Sequence, residues 1–317
     1  MYRHLLHILS DGQKHVIADL QHTLGLNQAL LKKQLKQLNA YGLDIQQCSE
    51  TQYQLQTPVE LFDFDNIFQA IHCPEYNFPE LHLFDVVNST NRYALECKSD
   101  IQPFVCLAEY QTAGQGRQGR QWFSPYASGI CLSVKYTYTH LPLSISGVAI
   151  AIAVSIATIL RELGATDVGI KWPNDIVWQS HKLAGILVES KQENGQLTVV
   201  VGMGMNVKVP SHDLDQIDRK WTDLSTVLNQ QAISRNQLAI TLTKSILHCL
   251  KHYEQTGLIF WLKDWPTFDV LAGKQIKLDT PQGIIESKVI GIDDKGRLCL
   301  AGHEKPYVSG EVHIVSL

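Results

Sequence analysis

The chain has 317 residues, 44% of them hydrophobic and 18% charged, with 11 prolines and a formal net charge of -4. That length exceeds one ordinary core, and the composition excludes fibrous and disordered classes; the charge gives no bulk attraction to nucleic acid, so DNA binding would need a local basic surface. Seven scattered cysteines form neither a disulfide framework nor a CxxC knuckle, as in a reducing cytoplasm, and the first residues lack the apolar core of a signal peptide.

In chain order, Leu5, Leu6 and Leu9 space a short helix over residues 2–10, closed by Ser10-Asp11-Gly12. A second helix runs from Val16 to Leu24. After the break at Gly25, Asn27 caps a third helix with Leu30, Leu31, Leu35 and Leu38 on one face. Its opposite face carries Gln28, Lys32, Lys33, Lys36 and Gln37, and the alternation from Leu43 to Leu55 reads as a two-stranded ribbon. These elements predict a winged helix-turn-helix over residues 1–60, with Asn27, Gln28, Lys32 and Lys33 as candidate DNA contacts.

Residues 57–79, with Pro58, Pro74 and Pro79, are irregular, and residues 61–80 form the linker. A mixed α/β domain follows over 81–267. Strands are expected at Leu81–Val87, Phe104–Tyr110, Gly129–Tyr136, Val168–Lys171, Lys182–Glu189 and Leu197–Val207, around helices at 90–97 and 144–163. The apolar run Leu141–Leu163 has the length of a membrane span, but its small residues, its serines and the lack of a flanking basic cluster fit a buried helix better. A helical pair, Arg235–Gln255 and Leu258–Trp265, closes the domain. Over 268–317, short strands between Pro-Gln-Gly, Asp-Asp-Lys-Gly and Gly-His-Glu-Lys-Pro turns form a small β-barrel. The fold class is multidomain α+β.

Five segments carry chemistry. The stretch Gln111 to Pro125 contains a formal GxGxxG at Gly114, Gly116 and Gly119, but it runs into Trp122-Phe123-Ser124-Pro125 instead of opening a helix, and no acid follows about twenty residues on. It is neither a dinucleotide loop nor a Walker loop. Backbone amides, Arg117, Arg120 and the Trp122 ring together suit a phosphate beside a planar ligand, against the plainer reading of a solvated basic loop. In Lys171-Trp172-Pro173-Asn174-Asp175, the proline ends a strand and turns Lys171, Asn174 and Asp175 outward; Asn and Asp are also common turn residues. Lys182 heads a mostly apolar strand ending at Glu189, where an ammonium can meet a carboxylate or phosphate. In Val199–Val207, Gly202 and Gly204 permit close approach of a ligand to the backbone, and Asn206 emerges at the end. Ser89-Thr90-Asn91 is a helix N-cap whose remaining polar groups can bind a ligand head.

In this order the segments resemble bacterial biotin protein ligases, of the bifunctional type that also represses the biotin operon. The marks are Asp85 with Ser89-Thr90-Asn91, Glu109-Tyr110-Gln111, Gly116-Arg117 and Gly119-Arg120 with Trp122-Phe123-Ser124-Pro125, Lys171 to Asp175, Lys182 to Glu189, and Gly202, Gly204 and Asn206. The resemblance covers essentially the whole chain. It implies a class II synthetase-like catalytic domain and an SH3-like C-terminal barrel. It also implies that Ser89, Thr90, Asn91, Gln111, Gln115, Gly116 and Arg117 hold biotin, and that Lys182 meets its carboxylate or the adenylate phosphate. Arg117, Arg120 and Lys171 would offset triphosphate charge, Trp122 would shield the ligand, Asn174 and Asn206 would place the nucleotide, and Trp221 would stack on adenine. ATP with Mg2+ and biotin are the implied substrates, and no protein-held metal is expected. The implied partners are the biotin carboxyl carrier protein of acetyl-CoA carboxylase, operator DNA and a second copy of the chain once adenylate is bound.

For attack on the carrier, the lysine amine must lose a proton, and Asp175 is our candidate acceptor. Two departures from the family pattern stand out. Gln115 replaces an arginine, and the wing Cys48 to Leu55 carries Glu50 without a basic, glycine-containing tip. Two alternatives therefore stand beside the bifunctional reading: a monofunctional ligase whose N-terminal domain does not bind DNA, and a biotinyl-adenylate-sensing regulator. Lipoate-handling relatives share the fold, and a fold alone does not choose among them.

Overall fold

The computed structural model describes residues 2–99, 101–138, 145–193, 195–210 and 220–315. Near the N-terminus, helices α1 (Arg3–Leu9), α2 (Ile17–Leu24) and α3 (Gln28–Ala40) surround a sheet of order β1-β3-β2, built from β1 (Lys14–Val16), β2 (Ile45–Ser49) and β3 (Gln52–Leu55). Leu5, Leu6, Leu9, Leu20, Leu31, Leu35 and Leu38 form one buried cluster with Ile45, Tyr53 and Leu55. The helices end and start where local chemistry requires it. Gly25 takes the left-handed conformation (φ 63) that stops α2, and the Asn27 side chain accepts from the Leu30 amide at 2.9 Å to start α3.

Two readings of this unit need correction. The buried stripe of α3 is Leu31, Gln34, Leu35 and Leu38, while Leu30 is 47% exposed because it lies off that stripe. The ribbon gains β1 as a third strand, three residues being too few to show an alternation.

The expected irregular stretch 57–79 contains a helix, α4 (Phe64–Ile71). Asp63 caps it, and Ile67 and Ile71 enter the main core against the long helix α8 (Arg235–Thr256). The prolines flank this helix without entering it, which is why composition concealed it.

The central sheet has the order β4-β5-β6-β10-β9-β8-β7. Its strands are β4 (Glu80–Val87), β5 (Phe104–Gln111), β6 (Gly129–Tyr138), β7 (Val168–Lys171), β8 (Asp175–Trp178), β9 (His181–Glu193) and β10 (Gln196–Asn206). Helix α5 (Thr90–Glu96) makes the crossover between β4 and β5, which pair parallel; the other neighbours are antiparallel. Strand alternation divides the sheet into two faces. Val105, Leu107, Leu132, Val134, Val201 and Met203 point into the core beneath α6 (Val148–Glu162) and α8. The other face, with Ser133, Gly202 and Gly204, lies under α5 and forms a floor.

No helix of the described residues is long and apolar enough to cross a membrane. The apolar run is instead the mostly buried α6, and residues 141–144 of the run lie outside the described set. The sequence overlooked β8, because the Trp-Pro-Asn-Asp turn obscured a hairpin in which Lys171 faces Asp175. After α8 come two one-turn helices, α7 having preceded it at Leu224–Val227: α9 (Ile259–Leu262) and α10 (Trp265–Phe268) replace the single helix expected at Leu258–Trp265. Pro266 at the start of α10 explains the break.

The C-terminal sheet has the order β13-β12-β11-β14, from β11 (Gln275–Thr280), β12 (Gly283–Ile292), β13 (Leu298–Leu300) and β14 (Glu311–Ile314). Ile276, Leu278, Leu298 and Val312 join the same core as the central sheet, and the buried Trp172 indole donates to the Gly296 carbonyl at 2.9 Å. The N-terminal unit is tied in as well: the Tyr126 amide donates to the Tyr41 carbonyl at 2.8 Å, and the Tyr41 and Tyr110 rings lie 4.4 Å apart.

Candidate active site

A cleft of ≈ 730 Å³ opens on the floor side of the central sheet. Its lining includes Ser89, Thr90, Asn91, Gln111, Gln115, Gly116, Arg117, Arg120, Trp122, Lys171, Asn174, Asp175, Lys182, Asn206 and Trp221. The structure thus brings every expected ligand-site residue to one place. The four DNA candidates lie elsewhere, exposed on or before α3.

The glycine loop is a tight hairpin. The Gly116 amide donates to the Arg120 carbonyl at 2.6 Å, and the Trp122 amide to the Gly114 carbonyl at 2.9 Å. Only one 3-10 turn (Arg117–Gly119) intervenes, with Gln118 and Gly119 at φ 58 and 72. The hairpin folds Trp122 back onto β10.

Both β10 glycines line the cleft, and each also gives room to a side chain of the protein itself. A methyl on Gly204 would lie 2.3 Å from the Trp122 ring, and one on Gly202 would lie 2.2 Å from Asn91 Oδ1. These glycines admit the chain's own side chains.

One end of the cleft is neutral and polar. Ser89 caps α5, accepting from the Arg92 amide, and leaves Thr90 and Asn91 buried in the first turn. The Gln111 side-chain oxygen Oε1 accepts from the Thr90 amide at 2.8 Å and lies 3.1 Å from its hydroxyl, while Asn91 donates to Glu189 at 2.7 Å.

The other end is cationic. Lys182 pairs with Asp175 at 2.7 Å and sits 5.5 Å from the centre of the Trp122 ring. Arg117 donates to Asn174 Oδ1 at 3.1 Å, and Asn174 in turn donates to the Ile186 carbonyl at 2.6 Å, which fixes the arginine relative to β9. Burial pushes the Arg117 and Lys171 pKa values down; Asp175 raises both and Arg120 lowers both, and Lys182 further lowers Lys171. Four cations facing few carboxylates form a site that favours a polyanion such as a triphosphate.

Several expected ligand groups are held by protein partners in this structure. Arg120 pairs with Glu311, Asn206 donates to the Thr222 carbonyl at 3.1 Å, and Trp221 reaches the cleft because residues 220–222 run beside the start of β9. Sequence reasoning missed Ser133, Glu189 and the C-terminal residues Gly310, Glu311 and Val312, the last three lining the cleft. Glu189 closes a motif already noted, two residues past the cleft-lining Leu187 on the same strand face. Nothing local signals the approach of β14.

Residues 83–206 match the biotin/lipoate A/B protein ligase family, and residues 272–314 match the biotin protein ligase C-terminal domain. The fold and cleft thus define a mixed α+β ligase of the biotin and lipoate class, with a central catalytic domain and a C-terminal β domain. A solved biotin protein ligase from Aquifex aeolicus, in complex with biotin and ATP, shares this fold with a TM-score of 0.61 and 24% identity, covering 74% of this chain and 98% of that one.

The bifunctional ligase/repressor BirA of Salmonella typhimurium is 33% identical over 98% of this chain and 97% of its own length. The biotin--[acetyl-CoA-carboxylase] ligase of Mycobacterium tuberculosis is 31% identical over 64% of this chain and 74% of its own. The chain belongs to the bacterial biotin protein ligase family that includes these bifunctional ligase/repressors.

Proposed function

We propose that this chain condenses biotin with MgATP to biotinyl-5'-AMP and transfers the biotinyl group to a lysine of a biotin carboxyl carrier protein. The observation that carries the reading is the division of one cleft into a neutral end at Thr90, Asn91 and Gln111 and a cationic end at Arg117, Lys171 and Lys182. The neutral end suits a ureido ring, and the cationic end suits phosphates.

A biotin carboxylate oxygen attacks the α-phosphorus, and pyrophosphate leaves with the bonding electrons. No base is needed for this step, so positioning and charge offset carry it. Lys182 meets the carboxylate and phosphate, while Arg117 and Lys171 offset the triphosphate, joined by Arg120 when it leaves Glu311. Ser89, Gln115 and Gly116 hold the ring end. Trp122 covers the intermediate, and Asn174, Asn206 and Trp221 frame the nucleotide. The carrier amine then attacks the acyl carbon, AMP departs, and Asp175 takes the amine proton. Mg2+ arrives with the nucleotide.

The N-terminal unit (residues 1–60) is read as a winged helix-turn-helix that represses transcription, with Gln28, Lys32 and Lys33 meeting operator DNA and Asn27 starting the recognition helix. Residues 61–80 connect it to a class II synthetase-like domain (81–267) and an SH3-like barrel (268–317). The adenylate-bound chain dimerises on two half-sites, in the cytoplasm.

Incubation with ATP, labelled biotin and a carrier domain should label one carrier lysine; absence of label overturns the ligase reading. A gel shift with a promoter fragment should be salt-dependent and strengthened by biotin plus ATP. No shift would favour the monofunctional reading, for which Glu50 at the exposed turn between β2 and β3 speaks.

A further inference from the structure

We propose that Glu189 and Ser133 are positioning residues that set the direction of hydrogen bonding at the neutral end of the cleft, so that the Thr90 hydroxyl offers its oxygen to the ligand. The inference rests on the biotin reading and extends it to two residues outside the cleft lining.

The argument is a count of protons. A carboxylate only accepts hydrogen bonds, so the group that Asn91 presents to Glu189 Oε2, at 2.7 Å, is its amino group. Asn91 Oδ1 then faces Ser133 Oγ at 2.7 Å and can only accept from it. Ser133 has a single proton, and Asn91 takes it. The remaining contact, 2.8 Å between Ser133 Oγ and Thr90 Oγ1, is satisfied when Thr90 donates. The other neighbour of the Thr90 hydroxyl, Gln111 Oε1 at 3.1 Å, is likewise an acceptor. On either path the Thr90 proton stays within the protein.

The residues are held tightly enough for this order to matter. Ser133 is 0% exposed and Asn91 4%, and Gly202 lets Asn91 lie against β10 where a methyl would meet it at 2.2 Å. A Thr90 oxygen with free lone pairs, beside Gln111 Oε1, is a receptor for a ligand N–H, the group that a cyclic urea supplies. Without the carboxylate, the Asn91 amide can turn over, Ser133 can reverse, and Thr90 can point its proton at that N–H.

The test compares biotin Kd by calorimetry with the steady-state constants for biotin and ATP. Glu189→Ala should raise the biotin Kd and KM about tenfold, the scale of one hydrogen bond, with kcat and the ATP KM within about twofold. Glu189→Gln, whose carbonyl oxygen can still accept from Asn91, should stay within about threefold of the wild type. Ser133→Ala should behave as Glu189→Ala, and the double variant should lose no more than the larger single loss, because both interrupt one chain. The inference is overturned by an unchanged biotin KM in Glu189→Ala, by kcat and ATP KM failing together with it, or by multiplicative losses in the double variant. Wild-type protein that forms no biotinyl-adenylate overturns the biotin reading itself, and this inference with it.

Discussion

The Arg235 guanidinium and the Glu109 carboxylate meet at 2.6 Å with side chains 4% and 0% exposed, as an ion pair without hydrogen-bond alignment on that oxygen. Arg235 also donates to the Gly129 and Glu60 carbonyls at 2.8 Å each and stacks 3.7 Å over the Phe62 ring, while Glu109 accepts from the Phe62 amide at 2.6 Å. The pair therefore joins the connecting segment, β5, β6 and α8 immediately behind Tyr110 and Gln111. Glu109→Gln leaves a buried cation without its counter-charge and should destabilise the fold by about 3–5 kcal/mol. Urea unfolding followed by fluorescence measures this; a wild-type midpoint would contradict it.

The neighbouring Glu60 gives the junction an acid sensitivity. Burial raises its pKa, but hydrogen bonds from the Asn236 side chain, the Arg235 amide, Ser234 and the Asn236 amide outweigh this and hold it below its ordinary value of 4.5. A carboxyl depressed in the folded state contributes stability above its unfolded pKa and loses it as pH falls through the folded one. The stability gap between wild type and Glu60→Gln should accordingly be full at neutral pH and close below the ordinary carboxylate range. A gap independent of pH in acid unfolding would remove this account.

Trp122 packs directly against Gly204 in the cleft. In Gly204→Ala the new methyl would lie 2.3 Å from the ring, so the indole must shift. Crowding of this kind costs about 1–3 kcal/mol. The expected outcome is changed tryptophan fluorescence and weaker adenylate retention with the global fold intact, and an unmoved emission spectrum would count against it.

The local features of both fold and site were legible because neighbouring residues write them. Asn27 and Gly25 mark the helix boundaries, and the strands were readable from alternation to within a few residues at most ends. The glycine loop, Lys171 to Asp175 and Lys182 were recognisable because each is a contiguous string. Pairings between distant segments were not legible. Asn91 finds Glu189, and Arg120 finds Glu311, only when sheet order and the docking of β14 are known. Likewise, α4 is an amphipathic helix of about two turns between prolines, and its burial depends on α8 arriving from the far end of the chain.

On α3, Lys32 and Lys33 are exposed and free of the buried stripe that holds the helix in place. Replacing either with Ala should leave stability unchanged and reduce the slope of log affinity against log salt by about 1, the share of one phosphate contact. The slope is read from binding to a promoter fragment at several salt concentrations. An unaltered slope in both variants would place the DNA surface elsewhere or remove it.

Asp175 and Lys182, 2.7 Å apart, carry different half-reactions in the proposed mechanism. There Lys182 offsets negative charge while the anhydride forms, so Lys182→Met should depress adenylate formation first. Asp175→Asn keeps the size of the side chain but cannot take a proton from the carrier amine. Its adenylate formation should persist, while transfer from preformed biotinyl-adenylate to the carrier should fall about a hundredfold, the lower end for loss of a general base. Raising the pH supplies more neutral amine, so that deficit should narrow in alkaline buffer. If transfer is intact and adenylate formation fails instead, Asp175 serves to hold Lys182 in place and the proton acceptor is another group.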